Sequence, residues 1–559
     1  MSELYSYHVF MFPFQWQFVG KEMKNKTLEE RTHLKDLVGL FNDLNWKRYS
    51  YDTSKVLNYN EYNYFYSMVR EILFDEGKKD LDKTIIANLS YNIEPDIYTY
   101  NITVSKYKAD PKQYVLYIDS IILHLYATGV GVLSFHLNNR LDNQKDTDSI
   151  LDINQAGRRL YPPFFGIDFG LIGKQDQYNS ADFSYGLDIV KTKELPQSVS
   201  AISDINFEDF GAFRDPEYFA ANPFQLPKHL AFLFDGVPIT IDKKDFKGTT
   251  KKVFLTPLLD DRMYVVCWYG NDKKSEELKL RMQKPNDTSQ LADETDEWWY
   301  KYIFNDQSCT CQNEQMRHEL IKKHTYKRWS DYGTLYGINR YSFVCLTGTI
   351  DSLKDNGAAF IVNHIQTMYY KMAELCLVQR ACILRFSDEI AGISAMDDRK
   401  KLTITERVSS LYKQYLRFVN KIYFREITAQ EQGIEMYQMM QDCMKIENNV
   451  QALDREIQEL HDYVSLKQEQ AQNRNIALLT IIGAIFILPS FIASFFGMNI
   501  FPQPNEINYG RIWLFMVPFV ISPLVCLLFV SNKRKRWTIG IILYSLLVVL
   551  LILMLVFVF

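Results

Sequence analysis

The stretch IALLTIIGAIFILPSFIASFFGM, residues Ile476–Met498, decides the fold class of this chain. It carries no charged residue over 23 positions. As an α-helix it would extend roughly 35 Å, more than the about 30 Å of hydrocarbon in a bilayer. Two more uncharged runs follow, Ile512–Val530 and Thr538–Phe559. One such run also fits a buried helix of a soluble domain, but three in succession predict spans at 476–498, 511–531 and 537–559.

Basic residues predict how these spans are oriented. Lys533–Arg536 separate the second span from the third, Lys467 and Arg474 precede the first, and the loop 499–510 contains no Lys or Arg. Because basic residues concentrate on the cytoplasmic side, we expect that loop outside and the long N-terminal region in the cytoplasm. Its first residues lack the features of a signal peptide. The expected location is the inner (plasma) membrane, as a multi-pass protein in contact with the lipid bilayer.

The composition of the whole chain excludes some partners. A net charge of −4 and a pI of about 6.2 give no polyelectrolyte character, so no direct nucleic-acid partner is expected. Aromatic residues make up 14%. They favour an aromatic-rich β core, with a base-stacking surface as the alternative. The eight cysteines are dispersed without zinc-type spacing, which indicates reduced thiols and no metal centre.

Upstream of the spans, the sequence predicts an α/β domain over 1–365 and a helical region with a long stalk helix over 366–475. The expected strands are Tyr7–Phe18, Tyr114–Ile118 paired with Val130–Phe135, and Met263–Tyr269. The expected helices are Gln366–Phe386 and Ile404–Tyr423. Asp235-Gly236 and Asp355-Asn356-Gly357 mark turns.

A stalk helix is indicated by apolar residues that recur in steps of three and four. They are Met436, Met439, Cys443, Ile446, Val450, Leu453, Ile457, Leu460 and Val464. No proline interrupts Thr428–Leu488, so a single helix is expected to continue from the cytoplasm into the first span. A 3.5-residue period favours helices that pack in a bundle or an oligomer, and we expect an oligomer. An amphipathic helix packed on its own domain is the alternative.

The first span ends in Phe495-Phe496-Gly497-Met498-Asn499, and Pro489–Ser494 leads into it. A Gly-Met-Asn motif at this place, after an uninterrupted stalk and before a short loop, resembles the CorA-type divalent-cation channels. The resemblance is close over about 430–536. It implies a homopentamer with a cytoplasmic funnel, in which the first span lines a central pore. Mg²⁺ or another divalent cation is the implied permeant ion, with no covalent cofactor.

The resemblance also implies which residues form the pore. Gly497, Met498 and Asn499 would form the outer mouth, where amide oxygens can hydrogen-bond the water shell of Mg²⁺. Helical spacing places a set of lining positions below them, each of which also fits simple helix packing. They are Asn473 at the cytoplasmic entrance, Ile476, Leu479 (or Thr480), Gly483, Ile487, Ser490 and Ser494. Leu479 and Ile487 would be apolar constrictions, and Glu506 is the one acidic residue of the outer loop.

Three features depart from a typical CorA-type channel. The N-terminal domain is enlarged, a third span follows the basic link, and the outer loop keeps a single carboxylate. In these respects the chain looks like the CorA-type membrane effectors of type III CRISPR defence. That subgroup implies gating by a nucleotide second messenger, an adenylated S-adenosylmethionine (SAM-AMP), bound in the cytoplasmic domain. A housekeeping magnesium or cobalt channel is the alternative.

The sequence contains no catalytic motif of a common kind. There is no GxxxxGK[ST] loop, GxSxG elbow or HExxH pair, so no enzymatic activity is expected, and a membrane-anchored enzyme is the least favoured class. The best candidate for ligand contact is Arg158 with Arg159, which follow a glycine and precede Tyr161-Pro162-Pro163. Paired arginines suit phosphate groups. The alternative is the end of a helix followed by a structural turn.

Overall fold

The computed structural model describes residues 3–41, 44–48, 51–74, 81, 84–93, 98–106, 111–160, 183–191, 208–209, 226–241, 250–258, 262–396, 401–497, 542, 545–546 and 549. The chain divides into two units, Met1–Gln458 and Glu459–Phe559. The first unit holds the predicted α/β domain.

A mixed sheet with fourteen described strands organises the first unit. The strands are β1 (Ser6–Val19), β2 (Trp46–Arg48), β3 (Ile86–Tyr91), β4 (Tyr98–Lys106), β5 (Lys112–Tyr126), β6 (Val130–Asn139), β7 (Phe183–Lys191), β8 (Glu208–Asp209), β9 (Ile239–Thr240), β10 (Lys252–Pro257), β11 (Tyr264–Gly270), β12 (Thr325–Tyr326), β13 (Leu335–Ile338) and β14 (Ser342–Thr347). Their main order is β12-β13-β14-β11-β1-β6-β5-β4-β7-β8, with β10 also on β1 and β3 also on β5.

Strand β1 lies at the centre of this sheet and is buried at every position except the partly buried Gln17. From Ser6 to Gln15 it pairs antiparallel with β6, and Phe10 lies opposite Phe135. On its other edge it pairs with β11 up to Met11 and with β10 from Phe14 onward. Pro13 falls between these two partners, where its missing N–H costs no ladder hydrogen bond. The predicted strand Tyr7–Phe18 is confirmed.

The other predicted strands are present, but the predicted pairing of Tyr114–Ile118 with Val130–Phe135 is wrong. Strand β5 continues to Tyr126, so Val130–Phe135 lies opposite its second half, Ile121–Tyr126. Strands β5 and β6 form an antiparallel hairpin that closes at Tyr126 opposite Val130. Gly129 takes a φ of 81° in its turn, a conformation that glycine adopts without steric cost. The segment Met263–Tyr269 corresponds to β11, which is buried throughout. The aromatic residues therefore supply a β core, as the composition favoured.

Fifteen described helices complete the fold. They are α1 (Leu28–Arg31), α2 (Leu34–Phe41), α3 (Val56–Tyr64), α4 (Ser67–Leu73), α5 (Thr147–Gly157), α6 (Lys228–Ala231), α7 (Asp272–Gln283), α8 (Gln290–Phe304), α9 (Glu314–His324), α10 (Ile350–Asp355), α11 (Phe360–His364), α12 (Tyr370–Ser394), α13 (Lys401–Lys421), α14 (Glu431–Met444) and α15 (Ile446–Gly497). A π-helical turn, Ile365–Tyr369, joins α11 to α12. The helices predicted at Gln366–Phe386 and Ile404–Tyr423 are confirmed, with shifted ends, as α12 and α13.

The prediction of one uninterrupted stalk helix from Thr428 is wrong, because the helix is broken at Lys445. This residue has a φ of 54°, in the left-handed region, and its N–H donates to carbonyl groups at the end of α14. No glycine or proline marks the break. Beyond it, Ile446, Leu453 and Ile457 are at most 2% exposed in this single chain. This burial supports packing on the same chain, the alternative to an oligomeric stalk, at these positions.

Helix α15 ends at Gly497 and so contains the first predicted span, 476–498, except for its last residue. Among the residues that the structure describes, no helix combines the length and the apolar character needed to cross a bilayer. The second and third predicted spans lie outside the described residues, apart from four isolated positions in the third. The three spans therefore stay predictions.

Candidate functional site

The predicted mouth of the pore is described at one residue only. Gly497 is the last residue of α15. Met498, Asn499 and Glu506 lie outside the described residues, so the roles assigned to them stay predictions.

The seven positions predicted to line the pore are all exposed on α15. They are Asn473, Ile476, Leu479, Gly483, Ile487, Ser490 and Ser494. Ile476 is 59% exposed, and Leu479 and Ile487 are both 68% exposed. Apolar side chains clustered in this way are covered by a partner or by lipid in most working proteins. Their exposure is therefore compatible with a pore, with helix packing and with lipid contact alike.

The structure places Arg158 inside the fold, at the C-terminal end of α5. Its side chain donates hydrogen bonds to Gln155 Oε1 at 3.1 Å and to the carbonyl oxygen of Asn305 at 3.0 Å. Its own carbonyl accepts a bond from the N–H of Met263 at 2.7 Å. Arg158 is 2% exposed. These contacts match the alternative named above, a helix end fixed by a structural turn.

Arg159 is 7% exposed and forms a β-bridge with Arg262. The aromatic-proline segment Tyr161–Pro163, which completes the predicted ligand motif, lies outside the described residues. The structure therefore brings the two arginines into the core beside β11, and a role in ligand binding stays a prediction.

A cluster of charged side chains that the sequence did not single out joins α1, α12 and α13. Arg31 Nη2 lies 2.6 Å from Glu389 Oε2. Arg407 contacts the other carboxylate oxygen of Glu389 through Nη2 and, at 3.2 Å, through Nε. The side chains of Arg31, Glu389 and Arg407 are 12%, 4% and 13% exposed. We call these three residues the Glu389 cluster.

A third arginine, Arg385, lies beside the Glu389 cluster. Its Nη2 donates to Gln17 Oε1 at 2.9 Å, and its Nη1 lies 3.4 Å from Gln15 Oε1. Arg31 also donates to Gln17. Gln17 thus links two guanidinium groups to strand β1, and the four elements β1, α1, α12 and α13 meet at one polar centre.

The electrostatics of this centre follow from burial and from its charges. Burial, together with repulsion from Arg31, lowers the pKa of Arg385 to about 10 against the attraction of Glu389. Burial raises the pKa of Glu389, but Arg31 and Arg407 outweigh that effect and hold it below its usual value. Glu389 is therefore ionised near neutral pH and paired on both of its oxygens.

A second buried polar cluster lies where α12 packs on the sheet. Lys371 Nζ is 3.8 Å from Glu61 Oε1, with side chains only 3% and 5% exposed. His124 Nδ1 pairs with Glu374 Oε1. Near them, the Tyr7 hydroxyl lies 3.0 Å from His136 Nδ1.

Two groups of this second cluster, Glu61 and His136, have displaced pKa values. Burial raises the pKa of Glu61 in spite of the nearby Lys371 and Tyr51. Burial, Lys371 and His124 together lower the pKa of His136 to about 3. His136 is therefore neutral at physiological pH, and its hydrogen bond with Tyr7 involves no charge.

Neither cluster is arranged as a metal centre. Among the described residues, no group of three or more His, Cys, Asp and Glu side chains is arranged to hold a metal ion. What both clusters can do is fix the relative positions of the elements that supply them, because a buried charge is stable only while its partners stay in place. A sequence signal for them did exist, because charged residues interrupt the apolar sequence of α12 at six positions, Lys371, Glu374, Arg380, Arg385, Asp388 and Glu389.

Comparison with known proteins identifies the class of the C-terminal part. Residues 387–536, just over a quarter of the chain, match the family model described as CorA-like Mg²⁺ transporter protein. This region, which contains α13, α14 and α15, is thus similar to a family of membrane transporters. The match supports the expected resemblance to the CorA superfamily and extends it upstream, from about 430 to 387.

No curated protein matches the chain. Among solved structures, the CorA magnesium transporter from Methanocaldococcus jannaschii is 14% identical, over 49% of this chain and 93% of that one, with a TM-score of 0.18. At that TM-score the structural likeness carries no argument about the fold. The family match over 387–536 is therefore the comparison on which a functional proposal depends.

Proposed function

We propose that the chain is a CorA-like membrane ion channel that conducts divalent cations. The observation that carries this proposal is the family match over 387–536, which includes the Gly497-Met498-Asn499 motif at the end of α15. Lipid is the surrounding medium, five copies form the pore, and the N-terminal unit is cytoplasmic. Asn499 amide oxygens bind the hydrated ion at the mouth, and Leu479 and Ile487 constrict the pore.

We further propose that the channel opens on binding a nucleotide second messenger of the SAM-AMP type, as an antiviral effector of a type III CRISPR system. Three features of the sequence support this. Residues 1–386 lie outside the family match, an apolar run continues past its end at 536, and Glu506 is the single acidic residue of the outer loop. A thin acidic ring concentrates divalent cations weakly, which suits a channel whose task is to collapse a gradient.

The alternative function is housekeeping transport of magnesium or cobalt. The observation in its favour is the description of the matching family, which names Mg²⁺ transport. Such a channel needs no added nucleotide, and this is how the two functions can be separated.

The test is ion flux through the full-length protein in liposomes loaded with a Mg²⁺-sensitive dye. The proposal expects Mg²⁺ entry that Asn499→Ala abolishes, whereas Asn505→Ala, in the same loop, leaves it in place. Flux only after addition of SAM-AMP supports the effector, and flux without it supports housekeeping transport. A chain that conducts under neither condition is not a channel for this ion.

The nucleotide should be recovered unchanged after the assay, because we propose no catalytic role for the chain. Consumption of the nucleotide would replace the channel proposal with a membrane-anchored enzyme.

A further inference from the structure

Within the first unit, the side chains of helix α13 make polar contacts with α12 and with α15. Through Arg407 it joins the Glu389 cluster, and thereby Arg31 on α1. Farther along the helix, the Tyr415 hydroxyl donates to Asp454 Oδ1 on α15 at 3.0 Å. Tyr415 is 4% exposed. One helix is therefore hydrogen-bonded both to the N-terminal elements and to the helix that continues to Gly497.

A second set of ion pairs holds α1 against α13 at the surface. Glu29 Oε2 lies 3.1 Å from Lys413 Nζ, and Glu29 Oε1 lies 2.9 Å from Arg417 Nη1. These side chains are 37–57% exposed, so the pairs contribute little free energy. Lys413 and Arg417 flank Tyr415 in the sequence, so α1 contacts α13 near the residue that reaches α15.

The Glu389 cluster is suited to couple helices because its ion pairs are expected to form or break together. Each oxygen of Glu389 serves one arginine, so a shift of α13 that removes Arg407 leaves a buried carboxylate with half of its compensation. Buried ion pairs tolerate such partial separation poorly because the surrounding dielectric is low. The pairs are consequently kept or lost as a set, and α13 moves with α1 and α12 or separates from them.

The residues of the cluster come from both sides of the boundary at which the family match begins. Arg31 and Gln17 belong to the part of the chain that precedes the family match at 387–536, whereas Glu389, Arg407 and Tyr415 fall inside it. The cluster therefore lies where the N-terminal part meets the CorA-like region. Contacts therefore connect α1 to α13 through Arg31, Glu389 and Arg407, and connect α13 to α15 through Tyr415.

We propose that the Glu389 cluster and the Tyr415–Asp454 hydrogen bond form a latch through which α13 transmits the state of the N-terminal elements to the start of α15. As a means of regulating a channel, this inference rests on the proposed function. As a statement about coupling between α1 and α15, it can be tested without any ion flux.

The experiment is hydrogen–deuterium exchange of the full-length protein, followed in peptides from residues 446–458 of α15. Glu389→Gln keeps the shape of the side chain and removes its charge. We expect about a tenfold faster exchange in α15, because its attachment to α13 opens more often. Glu30→Gln is the matched control, since it breaks the exposed Lys26–Glu30 pair next to α1 residue Arg31. It should leave exchange in α15 unchanged.

The Tyr415→Phe variant tests the second half of the latch. It removes only the hydroxyl that binds Asp454, and Tyr412→Phe on the same helix is its control. If α13 carries the coupling, Glu389→Gln should add little to exchange in 446–458 once the Tyr415 hydroxyl is absent. It should still accelerate exchange in α13 itself.

Two results would overturn the latch. One is faster exchange confined to α1, α12 and α13 in Glu389→Gln, and the other is an equal effect on α15 with and without the Tyr415 hydroxyl. If Glu389→Gln fails to fold, Arg407→Lys serves the same test, because it keeps the charge but loses one of the two contacts with Glu389. A wild-type protein without cation flux would refute the proposed channel and leave the exchange result standing.

Discussion

Arg31 Nη2 and Glu389 Oε2 lie 2.6 Å apart although 358 positions separate the two residues in the sequence. This pair ties the first helix of the chain to α12, and Arg407 extends it to α13. Since the three side chains are nearly buried, the pair is in the class of interactions whose disruption is costly.

Arg31→Met should therefore destabilise the first unit substantially. The substitution keeps most of the length of the side chain but leaves Glu389 with a single cationic partner. Removing one member of a buried pair costs on the order of 3–5 kcal/mol. We expect a loss near the lower end of that range, because Arg407 stays in place. The free energy of unfolding, from urea titration of the full-length chain, measures it.

The matched control for Arg31→Met is Lys26→Met, which breaks the pair with Glu30. Those side chains are 48% and 45% exposed. Surface pairs contribute less than about 1 kcal/mol. Equal losses in the two variants would mean that the Glu389 cluster contributes no more than a surface pair.

Acid should destabilise the fold through its buried histidines. Burial lowers the pKa of His8 to about 4, and burial with Lys371 and His124 lowers that of His136 to about 3. Between these values and the usual 6.5, the unfolded chain binds protons that the folded chain does not. The contribution of the two neutral histidines to the free energy of unfolding is thus complete above about pH 6.5, and it is lost as the pH falls toward 4. Unfolding midpoints measured from pH 7.5 to pH 4 test this.

His136→Asn removes one of the two buried imidazole groups that take up a proton on unfolding, and it keeps a polar side chain near Tyr7. The variant should be less stable than wild type at pH 7, and its stability should change less steeply between pH 6.5 and pH 4. His461→Asn, at an exposed position of α15, is the control and should follow the wild-type curve. Parallel curves for wild type and His136→Asn would exclude His136 as a source of the acid sensitivity.

Four neighbouring strands of the sheet, β11, β1, β6 and β5, could be predicted because their signals are local. The aromatic and β-branched residues of Tyr7–Phe18 and Met263–Tyr269 mark strands regardless of what they pair with. Which strands pair is a non-local property, so nothing in the residues around Pro13 indicates that β1 changes partner there. The same holds for the charged pairs, since nothing local connects Arg31 with Glu389.

The stalk and the arginine pair show why other predictions were incomplete. Lys445 breaks the helix without a glycine or proline, because its left-handed conformation is stabilised by carbonyl groups of α14 and by the buried neighbours Met444 and Ile446. Arg158 and Arg159 were singled out for their charge, which favours a surface role. Their burial depends on β11 and on Asn305, both distant in sequence.

Two glycine substitutions should change stability in opposite directions. A Cβ at Gly157, the last residue of α5, would lie 2.7 Å from Phe10 Cε2 and 2.8 Å from Ile102 Cδ1. Both contacts belong to the core, and overpacking there costs about 1–3 kcal/mol. Gly39 lies in α2 with open space around it, and alanine there should add about 0.5–1 kcal/mol through helix propensity. Thermal midpoints of Gly157→Ala and Gly39→Ala measure both effects.

The opposite signs make this comparison its own control, since both variants add the same methyl group. A stabilising Gly157→Ala would mean that α5 has room to move away from Phe10, and that the packing of α5 on the sheet is looser than these distances indicate.

The last prediction separates the structural role of Arg158 from a role in ligand binding. Arg158→Met keeps the length and apolar part of the side chain but removes the donor to the Asn305 carbonyl oxygen. Asn305 follows the last residue of α8 and has a φ of 49°. A buried acceptor left without its donor costs about 1–3 kcal/mol. We therefore expect a lower free energy of unfolding in the absence of any nucleotide. Arg140→Met, on a partly exposed arginine at the end of β6, is the control. If Arg158→Met leaves stability unchanged but abolishes nucleotide binding in a direct titration, Arg158 is a ligand contact, and its hydrogen bond to Asn305 is incidental.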